Sequence, residues 1–185
     1  EIPLRLVGSE MCIRDRLGTI AMGQTNLYSE TKTFHENGYT YQCNVRGIFA
    51  DLYNTDYKWE PSMQQRFKAT GEPFYLIEHE KEPLTTDGGL IYDIGEQKVK
   101  DILSKYDPNL KEERGLRVEV IVNTETGKIQ NVFFTFPIST PFAKVPVSVY
   151  REIELALVGM QNTLTPFGKT LNYIYMCLTI NTYPF

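Results

Sequence analysis

Hydrophobic side chains recur with a helical period in two segments of the chain. In residues 96–106 the apolar positions fall at i, i+3, i+4 and i+7, namely Val99, Ile102, Leu103 and Tyr106. In residues 147–158 they form a similar stripe of Val149, Ile153, Ala156 and Leu157. Such stripes are typical of amphipathic helices that pack one face against a core. Asp107-Pro108 ends the first predicted helix, and Gly159 ends the second.

Alternation with a period of two predicts β-strands elsewhere. In the most regular strand, valine stands at every second position, and a polar turn ending at Gly127 joins it to a return strand with apolar side chains on both faces. A break at Gly47 predicts a β-hairpin in the first half of the chain. The strand-forming segments are residues 39–54, which make up this hairpin, and residues 73–80, 117–123, 128–136 and 171–181.

The order of these elements predicts an α+β fold. In the second half, helix, hairpin, helix and strand give a three-stranded antiparallel sheet with two helices on one face. A β-hairpin-rich segment precedes it. The predicted organisation is a β-rich N-terminal segment over residues 24–95 and an α+β module over residues 96–185.

The module resembles the C-terminal domain of TonB and its relatives. The resemblance covers residues 96–183 and rests on the alternating valines and Gly-Lys return strand of residues 115–132, the turn at Pro166-Phe-Gly-Lys169 and the closing strand. The whole chain also resembles small secreted proteins that place such a module after a strand-rich segment. The resemblance implies a sheet edge that accepts an extended peptide as an added strand.

The first 23 residues are set apart from the fold. Residues 6–16 resemble translated sequencing-adapter sequence, so residues 1–16 are expected to be foreign to the protein, the alternative being a charged N-terminal arm. Residues 17–24 are typical of the end of a signal peptide, with Ala21 and Gly23 at the small-residue positions. They predict a secreted or periplasmic protein. The alternative is an irregular tail on a cytosolic protein.

Charge and hydropathy exclude two classes of partner. Lys and Arg number 19 and Asp and Glu number 23, so the net charge of -4 offers no basic surface for nucleic acid. No later segment approaches the roughly 20 consecutive apolar residues that a membrane span needs. We therefore predict no nucleic-acid partner and no membrane span, while the oligomeric state stays open.

Two cysteines, Cys43 and Cys177, lie beyond the N-terminal segment. In an oxidising compartment they could form a disulfide. Two free thiols on separate strands are the alternative, and two cysteines alone do not define a disulfide framework.

Recognised catalytic motifs are absent from the sequence. His35 and His79 do not stand in zinc-ligand spacing, and there is no phosphate loop, dinucleotide fingerprint or nucleophile elbow. We therefore predict no metal, no cofactor and no enzymatic activity. The alternative is an envelope glycan or peptidoglycan hydrolase with an unrecognised carboxylate pair. The candidate pairs are Asp51 with Asp56 and Asp87 with Asp93.

The candidate partner-binding residues are aromatic. Tyr173 and Tyr175 point away from the predicted helices, on the face where Phe133 of the hairpin lies. Either the N-terminal hairpin packs over this face, or the face is a bare patch for protein, peptide or glycan contact. The sequence thus predicts a non-enzymatic protein- or peptide-interaction module of the cell envelope, with an envelope protein or peptide as its partner.

Overall fold

The computed structural model describes residues 26–57, 63–86 and 88–181. The predictions for residues 1–23, which concern the adapter-like and signal-peptide-like segments, lie outside this part. The described part has an α+β fold, as predicted. Its strands are β1 (Lys32–Glu36), β2 (Tyr39–Arg46), β3 (Phe49–Asn54), β4 (Arg117–Val122), β5 (Ile129–Pro137) and β6 (Ile174–Thr179), and its helices are α1 (Gly88–Tyr106) and α2 (Val147–Leu157).

The strands form one antiparallel sheet in the order β1-β2-β3-β5-β4-β6. The prediction of a three-stranded sheet is corrected to six strands, because β3 pairs with β5 and joins the N-terminal strands to the module. Ala50 lies opposite Phe136 and Leu52 opposite Phe134 in this pair. These four side chains are buried in the same cluster. The β3–β5 pair therefore extends one core from the N-terminal strands into the module. The N-terminal hairpin therefore continues the sheet and does not pack over its aromatic face.

The main core lies between one face of the sheet and the two helices. Tyr28, Phe136 and Tyr150 form its aromatic centre, with the rings of Phe136 and Tyr150 stacked at 5.4 Å and 7°. The hydroxyls of Tyr28 and Tyr150 each donate to a backbone carbonyl at 2.8 Å. Both tyrosines thus bury their rings without leaving a donor unpaired.

Most predicted elements are confirmed, with shifted ends. The predicted boundary at residue 96 lies inside α1, which begins at Gly88. The positive φ of Gly47, Gly127 and Gly159, at 61°, 73° and 86°, agrees with their predicted places in turns and after a helix. Strand β1 was not predicted, since its pattern alternates over only five residues.

The predicted strand over residues 73–80 is wrong. Leu76–Glu78 form a 3-10 turn instead, and the β-pairing of this segment with described residues is limited to one isolated bridge, between Arg66 and Pro73. Phe74 is its only buried apolar residue, whereas Tyr75, Leu76 and Ile77 are exposed. An apolar run can therefore imitate a strand when its side chains face solvent.

Candidate functional site

The face of the sheet opposite the helices carries the predicted partner-binding residues. Strand register aligns Tyr53, Phe133, Glu119 and Cys177 in one row across β3, β5, β4 and β6. Their side chains point away from the main core because neighbours along each strand face opposite sides of a sheet. We call this surface the helix-free face.

An aromatic cluster lies on the helix-free face, separate from the main core. Its members are Ile121, Phe133 and Tyr173, which are buried, and Tyr53 and Tyr175, which pack against them. The Tyr173 hydroxyl donates to the carbonyl of Met63 at 2.6 Å, so Tyr173 is held from both ends. Phe133 and Tyr173 are only 2% and 7% exposed. Tyr175, which is half-buried, is therefore the predicted residue that a partner would contact.

An ion pair borders the aromatic cluster. Glu119 is nearly buried, and its carboxylate lies 3.0 Å from the Arg117 guanidinium. Burial, and next the Glu119 carboxylate to which it hydrogen-bonds, raises the pKa of Tyr175 well above its usual value. A hydrogen bond with Cys177 is the main cause that raises the pKa of Arg117. Tyr175 is thus a neutral hydrogen-bond donor and Arg117 a permanent cation. Both lie on the two strands at the β6 side of the helix-free face.

A second polar group crosses the neighbouring row of the same face. The Asp51 carboxylate lies 2.5 Å from Arg46 Nη2 and accepts the Thr135 hydroxyl at 2.9 Å. Asp56 lies in the turn that follows β3, where its backbone N donates to Asn54 Oδ1 at 2.9 Å. Asp87 lies outside the described residues, so its pairing with Asp93 is untested.

The two edges of the sheet differ in character. β6 reads Ile-Tyr-Met-Cys-Leu-Thr, whereas β1 reads Lys-Thr-Phe-His-Glu. Among the described residues, β4 is the only strand paired with β6, and the chain just before it is held by Asn172 N, which donates to Arg66 O at 2.9 Å. Charged residues and proline are the usual protection of an edge strand, and β6 has neither.

No disulfide joins Cys43 and Cys177, so of the two alternatives the structure has the separate thiols. Cys43 faces the main core from β2, and Cys177 lies on the helix-free face of β6. Three strands separate β2 from β6, which places the two backbones roughly 19 Å apart. A disulfide needs Cα atoms within about 7 Å. Burial raises the pKa of Cys43 to about 11, so this thiol stays protonated and unreactive.

Sequence reasoning missed a buried carboxylate on α2. Glu154 has no exposed surface, and its carboxylate accepts hydrogen bonds from the Tyr41 hydroxyl and from Asn54 Nδ2, the latter at 3.1 Å. Arg151 Nη1 lies 2.8 Å away. Burial and a hydrogen bond to Glu154 raise the pKa of Tyr57 to about 12. The sequence did carry a signal for this site, because Glu154 stands four positions after Tyr150 on the face of α2 that is buried against the sheet.

A polar cleft of about 240 Å³ lies at the end of the β4–β5 hairpin. Asn162 is buried beside it, and its Nδ2 donates to Gly127 O at 3.2 Å. Its Oδ1 accepts no hydrogen bond within the described residues. Glu125 is the one carboxylate among the lining residues, which are Glu125, Thr126, Gly127, Gln161, Asn162, Thr163, Leu164 and Lys169.

The described part of the chain holds neither a metal cluster nor a candidate membrane span. Within residues 26–57, 63–86 and 88–181, no three His, Cys, Asp or Glu side chains come close enough to share a metal ion. No helix in these ranges combines the length and the apolar character that crossing a bilayer requires.

Comparisons with known proteins relate the chain to one family. The family model described as "Domain of unknown function (DUF5043)" matches residues 24–178. The chain is also similar to the crystal structure of a DUF5043 family protein from Bacteroides uniformis ATCC 8492, with 30% identity and a TM-score of 0.73 over 83% of this chain and 92% of that chain. None of the curated proteins matches this chain.

Proposed function

We propose that this chain, which belongs to the DUF5043 family of unknown function, is a non-enzymatic interaction module. It binds an extended segment of a partner protein or peptide at the β6 edge of its sheet. The observation that carries the proposal is the edge itself. Six residues without a charge or a proline form an edge strand that no other strand of the described chain covers.

The contrast with β1 supports this choice of edge. β1 is only five residues long and carries Lys32, His35 and Glu36, which discourage the addition of another strand. At the β6 edge, an added strand would gain main-chain hydrogen bonds along an apolar surface. One sheet therefore has one protected edge and one receptive edge.

The helix-free face gives the proposed site its selectivity. Side chains of an added strand would lie about 5 Å from those of β6, beside Tyr175 and Cys177. Tyr175 offers an apolar ring with a neutral hydroxyl. The Arg117–Glu119 ion pair lies one strand further in, within reach of a long polar side chain. We expect aromatic or long amphipathic residues at alternate positions of the bound segment.

The cell envelope is the proposed location. The signal-peptide-like residues 17–24 support secretion or a periplasmic location. The resemblance of residues 96–183 to the TonB C-terminal domain supports strand addition as the mode of recognition, and α1, β4, β5, α2 and β6 follow the element order on which that resemblance rests. The partner is then an envelope protein or peptide.

A hydrolase gains no support from a specific observation. It needs two carboxylates facing one cleft, at most about 10 Å apart. The polar cleft is lined by one carboxylate, Glu125, whose side chain is paired with Lys68. We therefore propose no second function.

The experiment that tests the proposal compares the two edges. Tagged chain from residue 24 is used to capture proteins from envelope extract, together with Tyr175→Lys, which charges the β6 edge, and Thr33→Lys, which charges the β1 edge. We expect capture of a specific protein by the parent chain and by the β1 variant, and its loss from the β6 variant.

Hydrogen exchange then locates the contact. Slower exchange of β6 backbone amides in the purified complex, with β1 amides unchanged, is the expected result. A partner that Tyr175→Lys captures as well as the parent chain does, or that protects β1 alone, contradicts the proposal.

A further inference from the structure

Three consecutive large apolar side chains are exposed at the 3-10 turn. Tyr75, Leu76 and Ile77 are 49%, 60% and 79% exposed. We call them the apolar tip. Single exposed apolar residues are ordinary, but a contiguous exposed group of this kind marks an interaction surface.

The apolar tip is held rigidly by the residues on either side of it. Phe74 is 3% exposed, and its ring stacks on the His79 imidazole at 5.3 Å and 17°. Phe67 and Phe167 also contact the His79 ring, at 5.5 and 5.3 Å between ring centroids. The tip is therefore ordered before it binds, which lowers the entropy lost on association.

Backbone hydrogen bonds fix the same turn. Glu78 N donates to Tyr75 O and His79 N to Leu76 O, both at 3.0 Å. Phe74 N donates to Gln65 O at 2.8 Å and ties the turn to the preceding segment. The exposed side chains thus project from a closed loop.

A shallow apolar pocket borders the same aromatic rings. Its volume is about 370 Å³. Phe67 and Phe167, which hold His79, also form its walls. The lining residues are Phe67, Ala69, Thr70, Glu72, Phe167 and Thr170. One molecule therefore presents an apolar projection and an apolar recess side by side.

The charges around these two features are complementary. Glu78, Glu80 and Glu82 follow the tip and outnumber the single Lys81. Basic residues flank the phenylalanines of the pocket in the chain: Arg66 and Lys68 on either side of Phe67, and Lys169 after Phe167. Lys68 pairs with Glu125 at the surface, and Glu72 lines the pocket, so Arg66 and Lys169 leave the pocket with a net excess of one positive charge.

From this juxtaposition we infer that the chain forms a two-fold symmetric dimer in which the apolar tip of each copy enters the pocket of the other. A two-fold interface pairs the same patch on both subunits, so a projection and a recess on one surface meet twice. The acidic flank of each tip then faces the basic flank of the opposite pocket. This contact is independent of the β6 edge.

The dimer is a weak one. Three side chains and a shallow pocket on each copy amount to less than the roughly 800 Å² per partner of a standard interface. We therefore expect a dissociation constant in the micromolar range, which rises with salt because charges at the rim are screened.

Sedimentation velocity of the full chain over a range of concentrations tests the inference. We expect a monomer–dimer equilibrium that Ile77→Ser weakens by at least roughly 100-fold, because the substitution removes one large apolar side chain from each of the two tips. Ile48→Ser is the matched control, because Ile48 is 66% exposed on another turn. Leu76→Ser should weaken the dimer in the same way. Its matched control is Leu155→Ser, because Leu155 is likewise 60% exposed but lies on α2. All four positions are exposed, so circular dichroism of each variant should match that of the parent.

A complementation experiment separates tip-in-pocket contact from contact between two tips. Ala69→Arg fills the pocket and leaves the tip intact. We expect Ala69→Arg and Ile77→Ser each to dimerise less than the parent chain does, and their mixture to form more dimer than either variant alone, through the one tip-in-pocket contact that remains intact. A parent chain that stays monomeric up to about 1 mM overturns the inference, and so does a dimer that Ala69→Arg or Ile77→Ser leaves unchanged.

Discussion

Glu154 lies where α2 faces the sheet, and its carboxylate is surrounded by groups that hold its charge. A buried carboxylate without partners would cost several kcal/mol. Here Tyr41 and Asn54 donate to it, and Arg151 supplies the opposite charge. The Arg151 guanidinium also lies 5.4 Å from the Tyr39 ring, over its face. Glu154 therefore links α2 to both β2 and β3, through Tyr41 and Asn54.

Glu154→Gln should lower the free energy of unfolding by about 3 kcal/mol, because it leaves Arg151 without its counter-charge and Tyr41 and Asn54 with a weaker acceptor. Urea denaturation of the variant and the parent measures the difference. Glu152→Gln is the matched control on the same helix. Glu152 is exposed and lies 3.9 Å from Lys105, so its loss should change stability by less than about 0.5 kcal/mol. Equal effects at the two positions would contradict this account of Glu154.

At the scale of elements, the turn between β4 and β5 depends on one glycine. Gly127 has a φ of 73°, and a Cβ there would lie 2.3 Å from the carbonyl oxygen of Asn162. The turn is further held by Gly127 N, which donates to Asn123 O at 2.8 Å, and by Asn162 N, which donates to Gly127 O at 2.8 Å. The hairpin is therefore locked to the loop that follows α2.

Gly127→Ala should destabilise the chain more than Gly47→Ala does. Both glycines have positive φ, but nothing lies within 4 Å of a Cβ at Gly47. Gly47→Ala should therefore lower the free energy of unfolding by only the strain of placing alanine in the left-handed conformation, about 1 to 2 kcal/mol. Gly127→Ala adds a backbone clash and should cost roughly 3 kcal/mol or more. Thermal or urea unfolding measures both, and equal losses would mean that the loop after α2 moves aside freely.

These elements also show what the sequence could predict. The sequence patterns were sufficient to predict the strands of the module, both helices and the Gly127 turn, because each of these depends on residues that are close together in the chain. The placement of Tyr173 and Tyr175 on the face of Phe133 followed from strand periodicity and agrees with the structure. Pairing of β3 with β5 depends on residues far apart in sequence, so no local pattern revealed it. The apolar tip was missed for the opposite reason, because its hydrophobic run looked like a strand.

At the scale of the whole molecule, tyrosine hydroxyls tie several elements to one core. Burial is the main cause that raises the pKa of Tyr28, Tyr41 and Tyr150 well above the usual value of 10. Burial, with Glu154 next, raises the pKa of Tyr57 to about 12. All four are neutral donors in the folded chain at pH values where an unfolded chain would already ionise them.

Stability should therefore fall steeply in alkali. A folded pKa above the unfolded one contributes stability that is fully present below pH 10 and is lost as pH rises towards the folded pKa. Each buried tyrosine should remove roughly 1 kcal/mol per pH unit above pH 10. Urea denaturation from pH 7 to 11 measures this. Tyr41→Phe should reduce the slope above pH 10, and a flat profile in the parent would contradict the burial of these hydroxyls.

The pairing of β3 with β5 also sets the order in which the chain can fold. β2 and β3 form a local hairpin, but β3 must wait for a partner 86 residues later in the chain, since Ala50 pairs with Phe136. Closing so long a loop before its contacts form is slow. During synthesis the β3 edge stays open until β5 is made, and β4 remains uncovered until β6, near the end of the chain, is added. We therefore expect a nascent chain of this protein to expose two interior strand edges in turn, each open to pairing with other chains.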